Sequence, residues 1–181
     1  MKNILICGAR GIGKSTLINR LLADFPDMPI FGFYTKKEQP AGDGCCPVYI
    51  HDASKSIRFY DNINLVGKCK DCHGFAIPTA FEEYGVEILH KIPHKSLVVM
   101  DEIGFFESSA YTFRSEIIRL ISSDCLVVAA IKDKTTDFLD SLRKRDDSDV
   151  FYIDLDNRDC LYAEIKPILS ARIDELAEYG G

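Results

Sequence analysis

Apolar residues follow two rhythms along this chain, and their alternation suggests a fold before any chemistry is considered. Apolar runs of strand length occupy residues 3–7, 97–100, 125–131 and 150–155, interrupted only by Asn3 at the start of the first and Asp154 near the end of the last. Runs without polar interruption belong to strands buried on both faces, as in a parallel sheet covered by helices. Between them lie stripes of helical spacing: Leu17, Ile18, Leu21, Leu22 and Phe25; Phe81, Tyr84, Ile88 and Leu89; Phe113, Ile117, Leu120 and Ile121; and Leu161, Ile165, Ile168, Leu169, Ile173 and Leu176. Pro78 suits the first turn of the second of these helices. A thinner seam, Phe138, Leu139 and Leu142, runs through the polar stretch 132–149.

One segment breaks the alternation. Residues 29–37 and 47–51 read as strands on either side of a turn cluster at 39–44, which predicts a β-hairpin, and Ile57–Tyr60 reads as a third strand extending it into a meander. The expected fold is therefore α/β: a three-layer sandwich around a mostly parallel sheet with an added antiparallel hairpin. Residues 1–181 form one domain, with no internal repeat or low-complexity segment.

The first strand runs into Gly8-Ala9-Arg10-Gly11-Ile12-Gly13-Lys14-Ser15-Thr16, the spacing G-x-x-x-x-G-K-[ST] of a phosphate-binding loop, and a helix follows it. Its glycines let backbone N–H groups curl round phosphate oxygens, and the helix N-terminus adds partial positive charge. Lys14 supplies a point charge to the β- and γ-phosphates, and the Ser15 hydroxyl suits the accompanying Mg²⁺. Gly8, Gly11 and Gly13 also make a loose dinucleotide fingerprint, but that fold wants a carboxylate at the end of the second strand, where Tyr34-Thr35-Lys36-Lys37 stands.

The run 97–100 delivers Asp101-Glu102 at its carboxyl end, where ligands of such sheets bind. Asp101 is placed to hold Mg²⁺, directly or through water, and Glu102 to orient and polarise the attacking water. Arg143-Lys144-Arg145 lies in the charged stretch, either as a solvated face or as a flap bringing Arg143 or Arg145 onto the γ-phosphate; Arg145 is taken as the candidate.

Composition narrows the partners. A net charge of −6 over 181 residues argues against a general nucleic-acid or membrane-surface role. Met1-Lys2 leads directly into the first strand, and the longest apolar run, 125–131, is too short to span a bilayer, so a cytoplasmic protein is expected; it is taken as monomeric or weakly oligomeric. Seven cysteines without an export signal argue against a disulfide framework. Cys7 and Cys125 read as core thiols. Cys69, Cys72 and His73 have the spacing of a zinc knuckle that Cys45-Cys46 would complete, although adjacent cysteines rarely reach one metal together; reduced surface thiols are the simpler reading.

With both nucleotide motifs in place, the chain resembles the THEP1 family of small P-loop nucleoside-triphosphatases. The resemblance rests on residues 8–16, on Gly32-Phe33-Tyr34-Thr35, on Val66-Gly67-Lys68, on Asp101-Glu102-Ile103-Gly104 with Glu107 following, and on Asn157-Arg158-Asp159. It implies Mg²⁺-dependent hydrolysis of ATP, GTP or other nucleoside triphosphates to diphosphate and phosphate, with loose preference for the base. It also implies a base pocket near Asn157 and Arg158; a guanidinium stacks on any base. Three stretches depart from the family pattern: Lys36-Lys37-Glu38-Gln39, Phe105-Phe106 and Cys69. The alternatives are a small-molecule kinase using the same loop, which needs a second pocket and a lid, and a slow nucleotide-binding switch.

Overall fold

Strand β1 (Asn3–Gly8) is buried along its whole length, and its side chains divide by parity. Ile4 and Ile6 pack with Leu17, Ile18 and Leu21 of helix α1 (Lys14–Leu22) and with Leu161, Ile165 and Leu169 of helix α6 (Arg158–Glu178). Leu5 and Cys7 face the opposite core, with Phe81, Leu89, Phe113 and Leu139. Two apolar cores on two faces of one sheet make the three-layer sandwich that unbroken apolar strands require. The computed structural model describes residues 2–40, 42, 44–70 and 73–178.

The remaining elements are β2 (Ile30–Lys37), β3 (Cys46–Asp52), β4 (Leu65–Lys70), β5 (His73–Ala76), α2 (Pro78–Ala80), a π turn (Phe81–Gly85) leading into α3 (Val86–His90), β6 (Leu97–Ile103), α4 (Tyr111–Ile121), β7 (Leu126–Lys132), α5 (Asp137–Arg143) and β8 (Ser148–Ile153). The eight strands of the described residues join one sheet in the order β5-β4-β3-β2-β6-β7-β1-β8. Strands β2, β6, β7, β1 and β8 run parallel, and β3, β4 and β5 extend the β2 edge antiparallel. This matches the expected class, with a larger antiparallel wing than one hairpin.

The wing differs from expectation in one strand. Residues 57–60 lie outside the sheet, and Leu65–Lys70 takes the place expected for them. Side chains hold the 57–60 segment instead: Arg58 stacks over Tyr34 and donates to its hydroxyl at 3.1 Å, the Phe59 ring meets Tyr84 edge-on, and Asn64 donates to the Phe59 carbonyl at 3.0 Å. Ile57, the apolar residue that suggested a strand, is 82% exposed.

Gly32 lets the wing meet the parallel sheet. Its φ is +102°, and a Cβ there would stand 2.0 Å from the Val99 carbonyl oxygen. Both the positive φ and the clash oppose any side chain. Gly32→Ala is therefore expected to destabilise the fold by roughly 2–4 kcal/mol in a denaturant titration. A loss within about 0.5 kcal/mol, the ordinary surface range, would show that β2 and β6 separate freely here.

Candidate active site

Four separate stretches of sequence meet at the carboxyl ends of β1, β6, β7 and β2. Gly13, with φ +118°, turns the chain from the loop into α1, whose N-terminus carries no side-chain cap. Its first N–H groups therefore point over the loop, the arrangement that binds anions. Lys14, 4% exposed, donates through Nζ to the Gly8 and Ala9 carbonyls at 2.8 Å each and lies 2.8 Å from Glu102 Oε1. Ser15 Oγ donates to Asp101 Oδ1 at 2.9 Å.

The two carboxylates sit differently. Burial pushes the Asp101 carboxyl above its ordinary value, and the Glu102 charge adds to this, while the Ser15 hydrogen bond and Lys14 oppose it. Glu102 is more open: its second oxygen is 3.4 Å from Lys132 Nζ, and its backbone N–H donates to Thr35 Oγ1 at 3.4 Å. Ser15 and Asp101 offer hard oxygen donors on one spot. That suits Mg²⁺, which takes one or two protein oxygens and completes its shell with phosphate and water. Among the described residues no group of three or more His, Cys, Asp or Glu is placed to hold a metal, and a Mg²⁺ shared with phosphates needs none.

Thr35 and Glu107, which the sequence offered as parts of the family pattern without a role, join this site, and so does Lys132, which the sequence did not single out. Lys132 ends β7, the strand between β1 and β6, and that position was the signal that could have found it. Glu107 stands in a 3₁₀ turn at Phe106–Ser109, is 2% exposed, and accepts from the Gly104 N–H at 2.9 Å. Burial pushes its carboxyl up to about 7, against opposing hydrogen bonds from its own and the Gly104 backbone and the charge of Lys132.

The remaining candidates separate. Gly11, Ile12, Gly13 and Thr16 line a cleft of about 330 Å³ together with Arg20 and Arg158, beside the phosphate loop. Asn157 serves its own turn: Oδ1 accepts from the Asp154 N–H and Nδ2 donates to the Tyr152 carbonyl. Arg10 lies on the other side of the loop, in a cavity shared with Glu102. Arg145 is not at the site, which corrects the expectation that it reaches the γ-phosphate. It pairs with Asp147 and donates to Ser122 Oγ at 2.7 Å, where Asn3 binds the Asp147 carbonyl. That is the amino end of β1 and β8, roughly 17 Å from the loop by strand rise. Arg143 is nearer, and it fixes the chain after β7 by donating to the Lys132 and Lys134 carbonyls at 2.6 and 2.8 Å.

Cys7 and Cys125 are buried free thiols, as expected. Of the zinc-knuckle residues, Cys46 and Cys69 are cross-strand partners and free, and Cys72 lies outside the described residues. Among the described residues no helix is long and apolar enough to cross a membrane.

Comparison with known proteins bears on the family and the fold. A family model described as NTPase matches residues 3–166. The chain is 29% identical over 180 residues to a nucleoside-triphosphatase THEP1 of Methanothermobacter thermautotrophicus, covering 98% of each chain. It is 30% identical over 171 residues to the THEP1 of Thermotoga petrophila, covering 92% of each. The crystal structure of THEP1 from Aquifex aeolicus superposes with a TM-score of 0.69 at 19% identity, covering 92% of this chain and 98% of that one, and so shares the fold.

Two outcomes follow from the placements above. Glu107 ionises near 4.5 when unfolded and at about 7 when folded, so between those values the native state holds the extra proton and stability falls as pH rises. Glu107→Gln keeps the acceptor for Gly104, so it should melt several degrees above wild type at pH 8 and level with it near pH 5. Equal melting at both pH values would mean the carboxyl is not held neutral by burial. Arg145→Ala should leave turnover within about twofold and remove at most about 1 kcal/mol of stability. A turnover loss of about tenfold or more, measured by phosphate release, would return this arginine to the site.

Proposed function

The chain belongs to the NTPase family, and from that premise and the site geometry we propose that it cleaves the β–γ bond of nucleoside triphosphates with Mg²⁺, tolerating different bases. The observation that carries this reading is the pairing of the two motifs: Ser15 with Asp101 at 2.9 Å and Lys14 with Glu102 at 2.8 Å.

The residues take distinct roles. The loop amides and Lys14 receive the phosphates, Lys14 exchanging Glu102 for phosphate oxygens. Ser15 and Asp101 would hold the Mg²⁺, which when bound neutralises charge on the β- and γ-phosphates. Glu102, released from Lys14 but still beside Lys132, takes a hydrogen bond from the attacking water and aims it in line with the β–γ bridge. Positioning and electrostatic stabilisation are most of what phosphoryl transfer asks of a protein.

The cleft with Arg158 and Arg20 supports broad base tolerance. The Arg158 guanidinium can stack on any base, Arg20 lies over the Tyr162 ring, and the Asn157 amide is bound within its own turn instead of facing a base edge.

Lys14→Ala is expected to lower kcat/KM by about two orders of magnitude or more, through lost transition-state charge stabilisation. Glu102→Gln should bind nucleotide and fail to cleave it. Phosphate release across ATP, GTP, CTP and UTP, with and without EDTA, reads both variants. Wild-type turnover in Glu102→Gln, or turnover that survives EDTA, would contradict the proposal, and hydrolysis near background in the wild type would favour a nucleotide switch.

A further inference from the structure

Two cavities flank the Asp101–Glu102 pair, and they differ in what their cations are doing. On the α1 side, Lys36 and Arg58 face a cavity of about 340 Å³, but Arg58 is stacked and hydrogen-bonded to Tyr34 and Lys36 is paired with Glu38 at 2.7 Å. Beyond Glu102, a cavity of about 250 Å³ is lined by Arg10, Lys37 and Lys134. All three are exposed, and none makes an ion pair with any described residue.

The other charges of this second cavity largely cancel. Lys132 lies 3.4 Å from Glu102, and burial favours the neutral form of the Glu107 carboxyl, so that Asp133 is the one exposed carboxylate in the lining beside three exposed cations. In a chain of net charge −6, such a gathering of unpaired cations around one void opposes the global field and attracts an anion.

One part of the wall is aromatic. Phe106 is seated against β4 and β5: a Cβ on Gly67 or Gly74 would stand 2.9 or 3.0 Å from its Cε1. Phe105, 48% exposed, lies beside it with ring centroids 6.2 Å apart, and Val48 forms part of the same lining. An exposed phenylalanine at the mouth of a cationic cavity offers a ring something to lie against. Its volume lies just under the roughly 300 Å³ at which pockets for drug-sized ligands begin, which suits one ring with its acid group.

We infer that this cavity binds a small planar organic anion, its ring on Phe105 and Phe106 and its acid group among Arg10, Lys37 and Lys134, in the space from which water reaches Glu102. The consequence for turnover rests on the hydrolytic role proposed for Glu102; the binding itself does not.

The probes are benzoate and phenyl phosphate, with acetate (charge without ring) and benzyl alcohol (ring without charge) as controls. Binding to the full chain is read by saturation-transfer NMR, and phosphate release is read at saturating MgATP. Both aromatic anions should bind saturably and lower kcat without raising the KM for ATP, and both controls should bind at least about tenfold more weakly. The double variant Lys37→Ala/Lys134→Ala and the separate variant Phe105→Ala alter exposed side chains, and each should weaken benzoate binding by about tenfold. Three results would overturn the inference: no saturable binding of either aromatic anion, acetate binding as tightly as benzoate, or binding relieved by ATP, which would put the anion on the phosphate loop. If the chain bound the probes but did not hydrolyse ATP, the proposed activity would fail and the cavity assignment would stand.

Discussion

The hydrogen bond from Ser15 to Asp101, across 86 residues of sequence, joins the two halves of this site, with the Lys14–Glu102 ion pair beside it. Everything around these contacts serves to keep them in register. Strands β1 and β6 are held apart by β7, whose last residue, Lys132, sits beside Glu102. Asn3 fastens the far end of the same three-strand unit by binding the Ile121 and Asp147 carbonyls and the Val127 N–H. A strand rise of about 3.3 Å per residue then sets the distance from that anchored end to the site.

Charges placed this deep contribute little net stability as pairs, because desolvation offsets their attraction, whereas removing one partner costs roughly 3–5 kcal/mol. The site is therefore organised around exchange of partners. Lys14 holds backbone carbonyls and a carboxylate with the same Nζ, and phosphate oxygens can replace the carboxylate while the carbonyls keep the side chain aimed. Glu107 and the Phe105–Phe106 pair lie just beyond, lining the cavity that Glu102 shares with Arg10, Lys37 and Lys134.

Much of this was legible in the sequence, for physical reasons that can be named. The unbroken apolar runs marked the buried parallel strands because both faces must be covered, and the glycine loop showed itself because its glycines with Lys14-Ser15 stand between a strand and an anion-binding helix N-terminus. Thr35, Lys132 and Glu107 were not assigned roles, since each acquires its role only from strand order and a tertiary hydrogen bond. Arg145 was misplaced because a charge run carries no information about which end of the sheet its helix faces. Ile57–Tyr60 looked like a strand by composition, but cation–π and aromatic contacts of Arg58 and Phe59 secure it outside the ladder.

The most direct measurement is a crystal structure of the protein with a non-cleavable ATP analogue and Mn²⁺, the metal located by its anomalous signal. The account predicts the metal between Ser15 Oγ, Asp101 and the β- and γ-phosphates, Lys14 Nζ on phosphate oxygens, and Glu102 turned toward the in-line water position. A nucleotide bound away from residues 8–16, or a metal that leaves Asp101 untouched, would contradict it.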